Sequence, residues 1–155
     1  MSELELNLTL GSLGTANLRG FYEDITDLVD QIPLQDGGQG VGNIPSATRF
    51  GVNGDVTLLS DRLGWKGSRF DLRFAFVDSR VTDPLLGTPR DLSGIETVTL
   101  RGNLRHDFAD KVWAMGGAFD WQDFAPTVRI DEVFRRSLTF GFASLFVENK
   151  NVAGL

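Results

Sequence analysis

Between residues 69 and 76 the chain reads RFDLRFAF, with Phe70, Leu72, Phe74 and Phe76 on one side of an extended backbone and Arg69, Asp71 and Arg73 on the other. Successive side chains of a strand point to opposite faces, so this alternation predicts a β-strand with one apolar and one charged face. The same period of two recurs along the chain. In ELELNLTL, Leu4, Leu6, Leu8 and Leu10 oppose Glu3, Glu5, Asn7 and Thr9. GSLG follows as a tight turn in which Gly11 and Gly14 are free to take positive φ. TANLRGFYED returns with Ala16, Leu18, Gly20 and Tyr22 against Asn17, Arg19 and Glu23, and only Phe21 breaks the pattern.

Further on, Phe50, Val52, Val56 and Leu58 oppose Arg49, Asn53, Asp55 and Thr57, and GWKG turns the chain into the Phe70–Phe76 strand. ETVTLRGNLRHDF sets Val98, Leu100 and Leu104 against Arg101, Asn103 and Arg105, and VWAMGGAFDWQ sets Trp113, Met115, Phe119 and Trp121 against Ala114, Gly116, Ala118 and Asp120. A seventh strand starts near RRSLTFGF with Leu138, Phe140 and Phe142 facing one way. Its alternation then shifts, which predicts a bulge near Ala143. The connections are short at Gly11–Gly14, Gly64–Gly67 and Ala109–Lys111, and long at 24–46, 81–94 and 123–132. The glycine-rich QDGGQGVGNIPS in the first long connection reads as a loop. The fold class expected is therefore all-β, an antiparallel up-and-down meander of about seven to eight long strands, with short turns at one end and long loops at the other.

Two settings suit such a sheet. In a soluble protein the apolar face is the core; in an outer-membrane barrel it meets lipid while the polar face lines a wet interior. Strand length separates them. Alternation persists for about 9–12 residues, where soluble strands average ~5–6 and a tilted membrane-spanning strand needs ~9–11. Tyr22, Trp65, Trp113 and Trp121 also stand near strand ends, where an interfacial aromatic girdle would lie. On this reading Leu4, Leu6, Leu8, Leu18, Phe50, Val52, Val56, Phe70, Leu72, Phe74, Phe76, Val98, Leu100, Trp113, Met115, Phe119, Leu138 and Phe140 face lipid. Arg19, Arg49, Asn53, Asp55, Arg69, Asp71, Arg73, Arg101, Asn103 and Arg105 line the lumen. The whole of 1–155 forms one partial barrel domain, an arc of a transmembrane β-barrel.

Composition narrows the classes without choosing among them. Apolar content of 41% and charged content of 23% fit a folded chain. No run approaches the ~18 uncharged apolar residues of a membrane helix. Acidic residues number 21 against 15 basic, which argues against a nucleic-acid partner. With no cysteine, disulfides, thiolate metal sites and cysteine nucleophiles are excluded together. MSELELNLTL has neither the basic nor the apolar region of a signal peptide, so an outer-membrane location would require this chain to be an internal piece of a longer precursor.

Little in the sequence suggests catalysis. GGQGVG lacks the lysine and the strand–helix context of a phosphate-binding loop. Glu23, Asp24, Asp27 and Asp30 offer carboxylate oxygens for calcium but at no recognised spacing, and a solvated loop face is the simpler account. His106 is the single histidine and is expected at a strand end beside a turn, so no histidine metal cage or triad is available. The polar set is read as a cross-strand ladder of charge pairs or a contact for an internal plug, with guidance of an anionic ligand as the alternative. No enzyme activity, cofactor or metal is expected.

The segment RFGVNGDVTLLSDRLGWKGSRFDLRFAFVDSRVTDPLLGTPRDLSG resembles a strand–turn–strand–loop unit of the barrel of TonB-dependent outer-membrane receptors, with LGWKG and DSRVTDPLLG the most telling pieces. FASLFVENKNVAGL is similar to a later strand and periplasmic turn of those barrels. LRGFYEDITDLVDQIP followed by GVGNIPSA is similar to a strand rising into an outside loop. The resemblance implies uptake of a scarce nutrient such as an iron–siderophore complex, cobalamin or an oligosaccharide. Its implied partners are outer-membrane lipid, the remainder of the barrel with its plug domain, and the energy-transducing TonB protein reached through other regions. Such transporters have about 22 strands around a plugged lumen. Neither a plug, a TonB-contact motif nor a terminal aromatic strand is present in this sequence, and no ligand-specific motif carries over. A soluble β-sandwich or lipocalin-like binder of an apolar ligand, and a small stand-alone pore, are the competing readings.

Overall fold

The computed structural model describes residues 1–84, 86–109, 112–128, 133–134 and 140–151. Seven long strands form one antiparallel up-and-down sheet: β1 (Ser2–Thr9), β2 (Gly14–Pro33), β3 (Gln39–Leu59), β4 (Ser68–Thr82), β6 (Glu96–Asp107), β7 (Trp113–Phe124) and β10 (Phe140–Asn149), side by side in that order. A two-residue β5 (Pro89–Arg90) pairs with the end of β4. The pair β8 (Thr127–Val128) and β9 (Val133–Phe134) stands apart. Among the described residues β1 and β10 are the two edges, and the sheet does not close.

Register carries the apolar residues into shared rows. Leu6 lies opposite Leu18, Leu18 opposite Gly54, Gly54 opposite Phe74, Phe74 opposite Leu100 and Leu100 opposite Trp121. A parallel row runs through Leu4, Gly20, Val52, Phe76 and Val98. Because side chains alternate, this fixes one apolar and one polar face over the body of the sheet from β1 to β7, as far as Asp24 on β2. The short turns are made as the glycines predict. Gly11 and Gly14 take φ of 62° and 130°, Gly64 and Gly67 take 91° and 80°. A Cβ on Gly14 would stand 1.9 Å from the Thr57 carbonyl oxygen, so no other residue fits there.

The first long connection is not a loop. β2 and β3 stay paired to Pro33 and Gln39, and only Leu34–Gly38 turns, with Gly37 at φ 85° and the Leu34 N–H donating to the Gly38 carbonyl at 2.8 Å. Gly40 and Gly42 make room instead of making turns. A Cβ on Gly42 would lie 2.3 Å from the Ile32 side chain, and one on Gly40 would lie 3.0 Å from that of Leu34. Asp27 has φ 55°, and the ladder skips the step between Thr26–Ser46 and Leu28–Ile44, where Pro45 has no N–H to give. Alternation changes phase at this point, so Ile25 before it and Leu28 and Ile32 after it all pack on one cluster of Ile44, Ala47, Val81 and Leu92.

That cluster sits among the long connections and is the core of the described residues. Elsewhere the sheet is a single layer. The long connections touch one another: the Ala125 N–H donates to the Ile95 carbonyl at 2.9 Å, and that of Val128 to Ser93 Oγ at 3.3 Å. The short turns do likewise, the Asp107 N–H donating to the Gly67 carbonyl at 2.8 Å.

Two sequence expectations for β10 fail. It pairs with β7 without a break from Phe140 opposite Gln122 to Asn149 opposite Trp113, so there is no bulge at Ala143; the irregularity lies at Thr97, between Glu96 and Val98. In this register position 140 belongs to the polar face and Phe142 stands opposite Asp120, while Ala143, Leu145 and Val147 continue the apolar face. Both sides of β10 are largely apolar, so alternation alone gives it no phase. Leu138 lies outside the described residues.

Candidate functional site: a two-faced sheet

The polar face is a set of cross-strand rows. Asn17, Asp55, Arg73, Arg101 and Asp120 are successive partners on β2, β3, β4, β6 and β7, with Phe142 of β10 at the end. Arg73 and Arg101 are directly opposite, which by itself is unfavourable. Each turns to the other side: Arg73 Nε donates to Asp55 Oδ1 at 2.6 Å, and Arg101 Nε lies 2.8 Å from Asp120 Oδ2. The order Asp–Arg–Arg–Asp thus separates into two neutral pairs.

The next rows repeat the solution. Arg69 and Arg105 are also opposite one another. Arg69 folds onto Asp71 of its own strand at 2.8 Å, and Asp71 also accepts from the Thr57 hydroxyl at 2.6 Å. Arg105 reaches Asp107 at 3.2 Å and, across β7, Glu148 of β10 at 2.9 Å. Lys150 joins the same corner through Asp107 at 2.7 Å. Towards the other edge, Arg49 meets Glu23 at 2.6 Å and Arg19 pairs with Glu3, while Asn17 donates to Glu5 at 2.9 Å. Every arginine of the expected lumen set therefore has a carboxylate.

Glycines shape this face where aromatics enter it. Phe21, which breaks the alternation of β2, stands opposite Gly51, and a Cβ on Gly51 would come within 3.1 Å of its ring. The Arg49 guanidinium stacks 5.8 Å from the Phe21 centroid. The same arrangement recurs at Gly116, opposite Phe146, with Arg105 5.8 Å above that ring. An open recess of about 570 Å3 lies over the middle rows, lined by Asp55, Asp71, Arg73, Arg101, Asn103 and Phe142 among others. Asn53 lies opposite Arg19 on the same face.

On the apolar face the expected residues from β1 to β7 do come together: Leu4, Leu6, Leu8, Leu18, Phe50, Val52, Val56, Phe70, Leu72, Phe74, Phe76, Val98, Leu100, Trp113, Met115 and Phe119 share it by register. No protein layer covers it among the described residues, and Phe76 and Met115 keep 44% and 47% of their surface open. Its borders are polar. Beyond Phe76 and Phe50 the same face carries Asp24, Thr48, Asp78 and Asp123; beyond Phe70 it carries Ser68 and His106. His106 is the last residue but one of β6, its Nδ1 sharing a 2.6 Å hydrogen bond with Ser68 Oγ and its ring edge-on to Phe108 at 4.8 Å.

The acidic residues of the first long connection do not converge. Glu23 is held by Arg49, Asp24 accepts from the Tyr22 hydroxyl at 3.0 Å, and Asp30 binds Arg90 at 2.9 Å. Arg90 is the residue that the sequence pattern did not single out. Its Nε also donates to Asp83 at 2.7 Å and one terminal nitrogen to the Asp91 carbonyl, so it ties the 83–95 connection to the β2–β3 hairpin. Burial works against its charge, but Asp30 and Asp83 outweigh that and raise its pKa. Only its partner sixty positions away reveals the role, and no local signal announces that pairing. No family model matches the sequence, and no curated protein matches it.

Proposed function

We propose that this sheet is part of the wall of a transmembrane β-barrel, its apolar face against outer-membrane lipid and its ion-paired face towards the lumen. The observation that carries the reading is the height of the apolar band. On β4 it is bounded by Ser68 and Asp78, ten residues apart, which is about 33 Å of strand at ~3.3 Å per residue. A tilt of ~40° reduces this distance between the polar borders to about 25 Å, on the scale of the apolar belt of outer-membrane barrels. Charged side chains on the other face are tolerated in such a wall because the lumen is wet.

The resemblance of the β3–β4 unit extends the reading to a TonB-dependent receptor that imports a scarce nutrient such as an iron–siderophore complex. In that case this segment supplies barrel wall rather than ligand chemistry, since each lumen arginine is already engaged by a carboxylate. A plug domain would lie against the polar face, and contact with the energy-transducing protein would fall to other regions.

Tryptophan quenching tests the membrane placement. In vesicles of lipid brominated in mid-chain, a variant whose single tryptophan is introduced by Phe74→Trp, in the middle of the apolar face, should be strongly quenched. One retaining only Trp65, in the short turn, should not. A chain that stays monomeric in buffer, with the Phe74→Trp probe indifferent to the brominated lipid, rules the reading out.

A further inference from the structure

We propose that the polar face carries, beneath the 83–95 connection, a binding site for a small organic ammonium ion, with Glu96 as its anion and a short apolar wall for the ligand's carbon chain. The site lies on the wet face whether that face lines a lumen or meets open solvent, so it does not depend on the barrel reading. The 83–95 connection leans over this side of the sheet. On β4, Ala75, Val77, Ser79 and Val81 continue the face of Arg69, Asp71 and Arg73. The Leu92 N–H donates to Ser79 Oγ at 2.9 Å, and the Leu92 side chain packs with Ala47 and Val81. Ile95, whose carbonyl accepts from the Ala125 N–H at 2.9 Å, lines a recess of about 380 Å3 together with Arg49, Ala75, Val77, Glu96 and Thr99.

One extra residue aims Glu96 into this recess. Along β6 the polar face carries Thr99, Arg101, Asn103 and Arg105, and the apolar face carries Val98. Unbroken alternation back from Val98 would send Glu96 to the apolar side. The ladder instead steps from Val98 opposite Asp123 to Glu96 opposite Phe124, so Thr97 is the added residue and Glu96 returns to the polar face. Bulges re-aim side chains in this way and are common beside functional sites. What Glu96 meets there is not an ion pair. Asp55, Asp71, Asp120 and Glu148 on the same face each meet an arginine. Among the described residues Glu96 accepts only from the Thr99 hydroxyl, at 3.2 Å.

Charge and shape select the ligand. Arg49 also lines the recess, but its Nε and one terminal nitrogen are turned to Glu23 at 3.1 and 2.6 Å, and it stacks on Phe21. Arg49 and Glu23 cancel, which leaves the Glu96 carboxylate uncompensated. An anion is repelled there, whereas an ammonium group can donate to Glu96 and to the free lone pair of Thr99 Oγ1 in charge-assisted bonds. Its carbon chain then rests on Ala75, Val77 and Ile95, all three apolar. A bare metal ion would find one carboxylate and one hydroxyl, far short of the about six to eight oxygens that calcium takes. An organic amine of a few carbons satisfies both halves of the recess.

The test titrates the full chain, in non-ionic detergent micelles, with butylammonium chloride. The amide signals of Ala75, Val77 and Thr99 should shift and saturate. Sodium butyrate, an anion with the same number of carbons, should leave them in place. Glu96→Gln keeps the shape and the Thr99 partner but removes the charge, and should weaken butylammonium binding by about tenfold or more. Ala75→Leu fills the floor with Glu96 intact and should abolish binding, while slow exchange of the Leu92 amide, bonded to Ser79, shows that the connection is still in place. An absence of saturation, equal binding to Glu96→Gln, equal binding of butyrate, or displacement of the amine by stoichiometric calcium chloride would each overturn the proposal. Brominated-lipid quenching reads the opposite face of the sheet, so either reading can fail alone.

Discussion

At the long-connection end of the molecule, protein covers protein; in the body of the sheet, it does not. Around Arg90 the 83–95 connection folds against the β2–β3 hairpin, Leu92 is buried on Ile44, Ala47 and Val81, and Leu92 N–H donates to the hydroxyl of the fully buried Ser79. Over Phe70–Phe76 no second layer from the described residues covers the apolar side, and Phe76 stays 44% exposed. The first region is stable on its own terms, by burial and by a desolvated ion-pair cluster. The second has apolar area with no protein partner, so its stability depends on what surrounds the molecule. One sheet thus contains a part that folds like a small soluble core and a part whose solvent is still to be supplied.

Substitutions should separate the two. Arg90→Met leaves Asp30 and Asp83 facing each other without a cation, and removing one side of a buried pair is costly. We expect about 3 kcal/mol lost at that end, read as faster amide exchange at Val81 and Leu92 with Phe70–Phe76 unaffected. Uniform destabilisation of the sheet would mean that the two regions are one cooperative unit. Leu72→Arg should cost about 2–4 kcal/mol in a bilayer, as for arginine near the midplane on the lipid side of a barrel. Measured by denaturant titration in vesicles, a negligible effect would remove lipid from that face. The smallest effect belongs to the polar rows. A double-mutant cycle with Arg101→Gln and Asp120→Asn should give a coupling below about 1 kcal/mol, weakening further in salt. A larger value would mark that row as shielded from water.

Where alternation is clean, the sequence was sufficient. Leu4 to Leu8 and Phe70 to Phe76 name strand and face, and exclude a slip of one residue because that would exchange the two faces; the pairing itself comes only from the fold. The polar residues were legible by face but not by partner. Glu3, Glu23, Asp107, Asp120 and Glu148 become partners only once strands are aligned, and Arg105 with Glu148 skips a strand altogether. The hairpin beyond Asp24 was misread because glycine has two uses. A glycine with positive φ turns the chain, whereas Gly40 and Gly42 lie flat beneath the side chains of Leu34 and Ile32, and composition does not distinguish these. β10 was assigned to the wrong phase because Phe142 and Phe146 on one side look like Leu145 and Val147 on the other.

That ambiguity gives Gly116 a role as an alignment check. β10 has apolar residues in either phase, so hydrophobicity would nearly as well accept it shifted by one position along β7. The missing side chain at Gly116 opens a window through which Arg105 of β6 reads β10 directly, laying its guanidinium over Phe146 and binding Glu148. Shifted by one, Glu148 would turn to the apolar side and Arg105 would find neither partner. The strand least able to specify its own position is thus proofread by one that it never touches along the ladder.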